Sequence, residues 1–143
     1  MARSYAVQRT INASPERIWN LLTDVERYPS WNPAVVALHG RIAAGETIKL
    51  ISTVNPKRTF SLLVSELEPH RRMVWSDGMP LGLFRGVRTL SLGPAGDGQT
   101  EFSMQESYSG ALAPLITRAI PDLSESFAQF AEGLKSAAEG AQS

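Results

Sequence analysis

Hydrophobic and polar residues alternate at every second position along most of this 143-residue chain. Tyr5, Val7 and Ile11 fall on one side of the first such segment, a pattern typical of a half-buried strand. Six further segments have the same period and are separated by turns rich in glycine, proline and asparagine. The predicted strands are residues 4–11, 34–39, 46–53, 58–67, 71–77, 84–92 and 99–108.

One segment with a helical period follows the first strand. Ser14 offers an N-cap oxygen, and Pro15 suits the first helical position, where a missing N–H costs nothing. The apolar stripe then consists of Ile18, Leu21, Leu22 and Val25, widened by Trp19. Tyr28 precedes Pro29, and a residue before proline disfavours helical dihedrals, so the helix is predicted to end there.

A second helical segment follows Gly110, where apolar residues from Leu112 to Leu134 fall on one face. This pattern predicts a long amphipathic C-terminal helix, with Pro121 kinking or breaking it. Residues 138–143 are small and polar, which predicts a frayed tail. We find no internal repeat, linker or second domain, so residues 1–143 are expected to form one domain.

The order of elements predicts an α+β domain. One strand, a helix, six antiparallel strands and a long helix give a sheet with one face to cover, and the C-terminal helix can cover it. A twisted seven-stranded sheet curls around such a helix, and a gap between them is a natural place for an apolar pocket.

Composition narrows the range of partners. Lys plus Arg and Asp plus Glu both number 14, so the chain lacks the basic excess that supports nucleic-acid binding. The absence of cysteine removes thiol nucleophiles and thiolate metal sites. Neither a signal-peptide pattern nor an apolar run long enough to span a membrane is present, so we expect a soluble, cytoplasmic protein.

Two charged residues lie on apolar faces of the last two predicted strands. Glu106 alternates with Phe102, Met104 and Tyr108, and Arg88 shares a face with Gly86 and Leu90. If the intervening turn pairs Leu90 with Phe102, Arg88 and Glu106 are diagonal neighbours. They then either form a partly buried ion pair or orient a carbonyl or phenol in a cavity, with Gly86 leaving room for it.

Further residues could surround such a cavity, although they would equally well fill a dry core. They are Leu50, Phe60, Leu62, Val64, Met73, Trp75, Leu115, Ala119, Phe127 and Phe130, together with Met104 and Tyr108 from the strand that carries Glu106 and Trp31 from the turn after the first helix. His39 ends a strand and His70 lies in a turn, so both are expected to face solvent. Two histidines without a suitable spacing predict no metal site.

Three separated stretches carry a family resemblance: ASPERIWNLLTDVERYPSWNP (residues 13–33), VWSDGMPLGLFRGVRTLSLGPAGDGQTEFSMQESYSG (74–110) and FAEGLKSAAE (130–139). Together they resemble the SRPBCC superfamily, also called START-like or Bet v 1-like, and within it the polyketide cyclase/dehydrase-like branch. The resemblance spans residues 5–139. It implies a helix-grip fold, in which a curved seven-stranded antiparallel sheet wraps around the C-terminal helix, with short N-terminal helices after the first strand and a hydrophobic cavity inside.

The resemblance does not imply one activity, since the superfamily includes lipid carriers, polyketide cyclases, hormone receptors and chaperone activators. The first hypothesis is cofactor-free binding of a hydrophobic small molecule, such as a lipid, an aromatic compound or a polyketide. The second is a cyclase or dehydratase that uses Glu106 and Arg88. The third is a protein-interaction module of the chaperone-activator type, with an unknown partner. In such a fold the YPSWNP turn braces the open end of the sheet, where Tyr28 and Trp31 either pack structurally or contact ligand.

Overall fold

Seven antiparallel strands form the sheet of this computed structural model, which describes residues 4–119 and 122–140. The strands are β1 (Ser4–Ile11), β2 (Val35–His39), β3 (Thr47–Ser52), β4 (Asn55–Glu68), β5 (Arg72–Gly78), β6 (Arg85–Gly96) and β7 (Gln99–Ser109). Their order in the sheet is β1-β7-β6-β5-β4-β3-β2, so consecutive strands from β2 to β7 are neighbours, and β1 lies at one edge beside β7. All seven predicted strands are confirmed, and the observed order is that of a meander whose first strand returns to the last.

The first helix, α1 (Pro15–Thr23), begins as its sequence predicts. The Ser14 hydroxyl oxygen accepts a hydrogen bond from the Arg17 backbone N–H at 3.2 Å, and Pro15 occupies the first turn. Burial of Ile18 and Leu22 anchors the apolar stripe of the helix in the core. The N-cap and the stripe together set where this helix starts and which face it buries.

The prediction that helical structure ends at Tyr28 is wrong. The chain leaves helical geometry earlier, at Asp24 (φ −89°, ψ 88°), and then forms a 3-10 turn (Val25–Arg27) and a short helix, α2 (Tyr28–Trp31). Tyr28 itself is helical (φ −49°, ψ −48°), and the missing N–H of Pro29 falls in the first turn of α2. Tyr28 is fully buried and its hydroxyl donates to the Leu22 carbonyl at 2.5 Å, so tertiary packing outweighs the local preference.

The C-terminal helical region is divided, and the sequence pattern predicts a long helix that Pro121 kinks or breaks. It consists of α3 (Ala113–Ile116), a 3-10 turn (Thr117–Ala119) and α4 (Ser124–Gly140). The predicted kink at Pro121 lies outside the described residues. The helix continues through Ala138, which is fully buried, so the predicted frayed tail does not begin there, and residues 141–143 lie outside the described part.

Close packing holds the C-terminal half of α4 against α1 and α2. A Cβ atom on Gly133 would collide with the Trp31 carbonyl oxygen, so only glycine lets α4 approach α2 this closely. The Arg17 Nε donates to the Ala138 carbonyl at 2.6 Å, and the Lys135 Nζ donates to the Thr10 carbonyl at 2.9 Å. This end of the domain is therefore fixed by side chains of α1 and α4 that donate to backbone carbonyls of α4 and β1.

Candidate functional site

A cavity of about 230 Å³ lies between the inner face of the sheet and the N-terminal half of α4. It is lined by Ala34, Val35, Leu50, Ser52, Val54, Asn55, Arg58, Phe60, Leu62, Trp75, Asp77, Phe84, Gly86, Arg88, Met104, Glu106, Tyr108, Ile116, Leu123, Ser126, Phe127 and Phe130. Most of these side chains are apolar, and the charged ones come from three neighbouring strands, β5, β6 and β7, and from the start of β4. The arrangement suits a largely apolar molecule with a polar group at one side.

The register between β6 and β7 differs by two residues from the predicted one. Arg88 lies directly opposite Glu106, and Gly86 lies opposite Tyr108. The cause is the turn: Gly96 pairs with Gln99, so the chain reverses at residues 97–98, and with the bulge between Pro94 and Gly96 the centre of the hairpin lies one residue further along than assumed. A shift of one residue at the turn displaces every pair along the hairpin by two.

Arg88, Glu106 and Tyr108 form one connected polar group, here named the polar cluster. The Arg88 Nε donates to Glu106 Oε1 at 2.7 Å, and the Tyr108 hydroxyl donates to Glu106 Oε2. The Arg88 guanidinium also lies 4.9 Å from the centroid of the Phe127 ring, within the range of a cation–π interaction. Only 16% of the Arg88 side chain and 15% of the Glu106 side chain are exposed, so this pair is shielded from solvent.

Burial determines the ionisation of Tyr108. Desolvation raises the pKa of the phenol well above its usual range, and the nearby negative charge of Glu106 raises it further. Tyr108 therefore remains a hydrogen-bond donor at physiological pH. Both oxygens of Glu106 are engaged, one by a cation and one by this phenol.

Asp77 is a second carboxyl group on the cavity wall, and it is not among the predicted site residues. It lies opposite Gly86 in the β5–β6 pairing, and a Cβ atom on Gly86 would be 2.9 Å from Asp77 Oδ1 and 3.4 Å from the Tyr108 ring. The missing side chain at Gly86 thus lets the Asp77 carboxyl and the Tyr108 ring approach each other. Burial raises the pKa of Asp77, and the negative charge of Glu106 adds to the increase.

Arg58 is the second charged residue of the cavity wall that is not among the predicted site residues. It lines the cavity from β4, and its guanidinium lies 4.7 Å from the Phe60 ring centroid. A signal for both missed residues was present in the sequence. Asp77 alternates with Met73 and Trp75, and Arg58 alternates with Phe60 and Leu62, so each extends an inward-facing row.

The structure brings most of the predicted site residues together. Those on the cavity wall are Arg88, Glu106, Leu50, Phe60, Leu62, Trp75, Gly86, Met104, Tyr108 and Phe127. Phe130 and Val64 were predicted to lie either on the cavity wall or in the dry core. Phe130 lines the cavity, and Val64 is buried in the core.

Three predicted residues do not line the cavity in the described structure, namely Met73, Trp31 and Leu115. Met73 is fully buried in the core, and Trp31 packs against Tyr28 and Phe130. Leu115 is 65% exposed, because α3 is separate from α4 and presents this residue to solvent. Ala119 ends the 3-10 turn, and its side chain lies outside the described part of the structure.

The two histidines are exposed, as the sequence predicts. His70 also makes an edge contact with the Trp19 ring, at 6.3 Å between ring centroids. Within residues 4–119 and 122–140, no three histidine or carboxylate side chains are grouped in a way that could hold a metal ion. In the same residues, none of the helices has the length and apolar character needed to cross a membrane.

The helix-grip architecture and its cavity agree with a sequence match over nearly the whole chain. The family described as "Polyketide cyclase / dehydrase and lipid transport" matches residues 2–139. The chain belongs to this family. The SRPBCC resemblance is thereby confirmed, and so is the predicted helix-grip fold. No curated protein matches the sequence.

Solved structures show the same fold at low sequence identity. The Zhui aromatase/cyclase from Streptomyces sp. R1128 has a TM-score of 0.77 and 13% identity, over 100% of this chain and 97% of that protein. A START superfamily protein from Mycobacterium smegmatis has a TM-score of 0.68 and 17% identity, over 96% and 98% of the two chains. Protein MLL2253 from Mesorhizobium loti has a TM-score of 0.70 and 24% identity, over 93% and 94%. At these identities the similarity establishes the fold alone.

Proposed function

We propose that this family member binds a small, mainly apolar molecule in the cavity and orients it at the polar cluster. The observation that carries the proposal is a cavity whose walls are mostly apolar and include one connected polar group, Arg88, Glu106 and Tyr108, with Asp77 and Arg58 as further charged residues. Apolar walls supply affinity by removing hydrocarbon surface from water. A few fixed polar groups supply orientation.

The size of the cavity restricts the ligand. At about 230 Å³ the cavity is smaller than the ~300–1,000 Å³ typical of sites for drug-sized molecules. A ligand of one or two rings, or a short acyl chain, is the appropriate size. A larger lipid or polyketide would have to extend through the open side of the cavity or displace α4.

A matched pair of variants on α4 tests cavity binding. Ser126 lines the cavity, whereas Ser136 lies on the same helix and is exposed. We expect Ser126→Trp to weaken binding of butylbenzene at least about tenfold in calorimetric titrations, because the indole fills the binding space, and Ser136→Trp to bind as the native protein does. Equal affinity of both variants would place the binding site elsewhere, and no binding by the native protein would refute the proposal.

A cyclase- or dehydratase-type enzyme is the second candidate function, favoured by the two carboxyl groups at one wall. Glu106 is engaged by Arg88 and Tyr108, whereas burial and the charge of Glu106 raise the pKa of Asp77. Carboxyl groups with such different environments can divide acid and base roles. In this candidate mechanism Asp77 accepts an α-proton from a ketone and Arg88 stabilises the enolate oxygen, after which the proton returns to carbon.

Deuterium exchange distinguishes the enzyme from a binding protein. Incubation of 4-phenylbutan-2-one in D₂O with the protein, followed by NMR, measures exchange at the carbon atoms beside the carbonyl. Catalysed exchange that Asp77→Asn and Glu106→Gln each reduce would support the enzyme. Exchange at the buffer rate, with the ketone bound, would leave binding as the function.

A further inference from the structure

One buried hydrogen-bond donor on the cavity wall has no acceptor in the described part of the chain. Trp75 is 1% exposed, and its indole Nε1 is buried without a hydrogen-bond partner among the described residues. Buried donors are usually paired, since an unsatisfied one loses its bonds to water without replacement. The exceptions are informative when they border a binding cavity, as Trp75 does.

Arg88 offers further donors beside this indole. Trp75 and Arg88 are directly opposite each other in the β5–β6 pairing, so their side chains leave the same face of the sheet side by side. The Arg88 Nε is used by Glu106, whereas no described residue accepts a hydrogen bond from its terminal N–H groups. The part of the wall formed by Trp75 and Arg88 therefore offers hydrogen-bond donors, and both carboxylate oxygens of the adjacent Glu106 are already occupied.

The charges around the cavity are balanced. Among the described lining residues, the two cations Arg58 and Arg88 equal in number the two carboxyl groups of Asp77 and Glu106. Arg88 and Glu106 form an ion pair at 2.7 Å. An anionic or cationic ligand would therefore bring an unpaired charge into a low-dielectric space, which is costly. A neutral oxygen with two lone pairs satisfies the donors without adding charge.

We propose that the ligand is a neutral molecule whose carbonyl oxygen accepts a hydrogen bond from Trp75 Nε1, with the free end of the Arg88 guanidinium as the second donor. This inference rests on the proposed function and specifies its ligand class as ketones, esters or related neutral carbonyl compounds. Trp75 is then a specificity-determining residue: its ring forms part of the apolar wall, and its N–H selects the oxygen.

A comparison of two indoles tests the proposal. Trp31 Nε1 is also buried without a partner among the described residues, but Trp31 does not line the cavity. The probes are 4-phenylbutan-2-one and its apolar counterpart butylbenzene, titrated calorimetrically into the native protein, Trp75→Phe and Trp31→Phe. Butylbenzene measures the loss of ring area, so only the difference between the probes reports the N–H.

We expect Trp75→Phe to weaken ketone binding by about tenfold while changing butylbenzene binding by less than about twofold, as the loss of one buried hydrogen bond implies. Trp31→Phe should change neither affinity by more than about twofold. We further expect 3-phenylpropanoate and 4-phenylbutan-2-amine to bind the native protein at least about tenfold more weakly than the ketone, because each adds an unpaired charge.

Equal losses for both probes in Trp75→Phe would overturn the proposal, and so would tighter binding of the carboxylate or the amine than of the ketone. Failure of butylbenzene and the ketone alike to bind the native protein would instead refute cavity binding itself. The Trp75 indole ¹⁵N–¹H resonance of the native protein gives a measurement that does not depend on a variant that folds. It should move downfield with the ketone and not with butylbenzene, and a resonance unaffected by the ketone contradicts the hydrogen bond.

Discussion

The same three strands build a packed core at one level of the domain and a cavity at another. One row across β5, β6 and β7 consists of Met73, Leu90 and Met104, all at most 1% exposed, and of these three only Met104 also touches the cavity. Two rows further along, the corresponding row consists of Asp77, Gly86 and Tyr108, which line the cavity. Backbone pairing is continuous through both rows, so within the sheet the two rows differ only in side-chain size and polarity.

The helix side of the two regions differs as well. In its C-terminal half, α4 is held close to α2 by Gly133 and bonded to α1 and β1 by Arg17 and Lys135. Around the cavity, the helical chain is divided between α3 and α4, and Ser126 and Phe127 in the first turns of α4 form the wall. A binding space in this domain therefore requires two features: a row of small or polar residues on the sheet, and a covering helix that does not pack closely against that row.

The largest expected contrast is in stability. Leu90→Ala should lower the free energy of unfolding by about 2–5 kcal/mol, because it leaves a cavity in a packed region that relaxes only partly. Leu62→Ala, on the half-buried cavity wall, should lower it by about 1 kcal/mol, since the space beside it already exists. Urea denaturation of both variants measures the difference. Equal losses would mean that the cavity wall is as tightly packed as the core.

A smaller contrast separates the polar cluster from a surface ion pair. Glu106→Gln leaves the shielded Arg88 cation without its counter-charge, and we expect a loss of about 2 kcal/mol, below the ~3–5 kcal/mol of fully buried pairs. Glu66→Gln removes the 2.8 Å ion pair between Glu66 and Arg72, whose two side chains are 55% and 43% exposed, respectively. It should lower the free energy of unfolding by less than about 1 kcal/mol. A Glu106→Gln variant as stable as Glu66→Gln in the same denaturation experiment would show that water solvates Arg88 fully.

The smallest contrast is in the pH dependence of stability. The pKa of Asp77 at the cavity is raised and that of Glu139 at the packed end is lowered, so their contributions to stability change with pH in opposite directions. The folded-state pKa of Asp77 lies above its ordinary value of 3.8, mainly because of burial, so the native protein binds more protons than the unfolded chain between the two values. Its contribution to stability therefore falls as pH rises through this window. Asp77→Asn should become more stable relative to the native protein from pH 3.8 upward.

Glu139 gives the opposite case at the packed end. Its carboxylate accepts hydrogen bonds from the Asn12 backbone N–H at 2.8 Å and from Lys135 Nζ at 2.7 Å, and the first of these is the main cause of a pKa below its ordinary 4.5. Its contribution is present above pH 4.5 and is lost as pH falls through the folded-state pKa. The stability lost in Glu139→Gln should therefore shrink in acid. Thermal unfolding of Asp77→Asn, Glu139→Gln and the native protein across pH 3–7 measures how the stability of each variant relative to the native protein changes with pH. A change in the same direction for both variants would contradict the opposite pKa shifts of Asp77 and Glu139.

Local patterns were sufficient for much of the fold and part of the site. Period-two alternation identified all seven strands and placed Arg88 and Glu106 on the inner face, because a strand exposes its two faces in strict turn. Ser14 and Pro15 determined the start of α1 through groups that lie within three residues of each other. Asp77 could have been found by the same alternation, since it continues the row of Met73 and Trp75.

By itself, then, the sequence determined which segments form strands, which faces are apolar and which family the chain resembles, because these depend on spacing and residue type along the chain. Only the tertiary structure decided the pairing of Arg88 with Glu106, since a one-residue change at a distant turn moves the register by two. It also decided that Leu115 is exposed while Phe130 borders the cavity, and that Trp75 has no acceptor in the described structure. These outcomes depend on how closely α4 approaches the sheet, which is a balance of contacts between residues far apart in the chain.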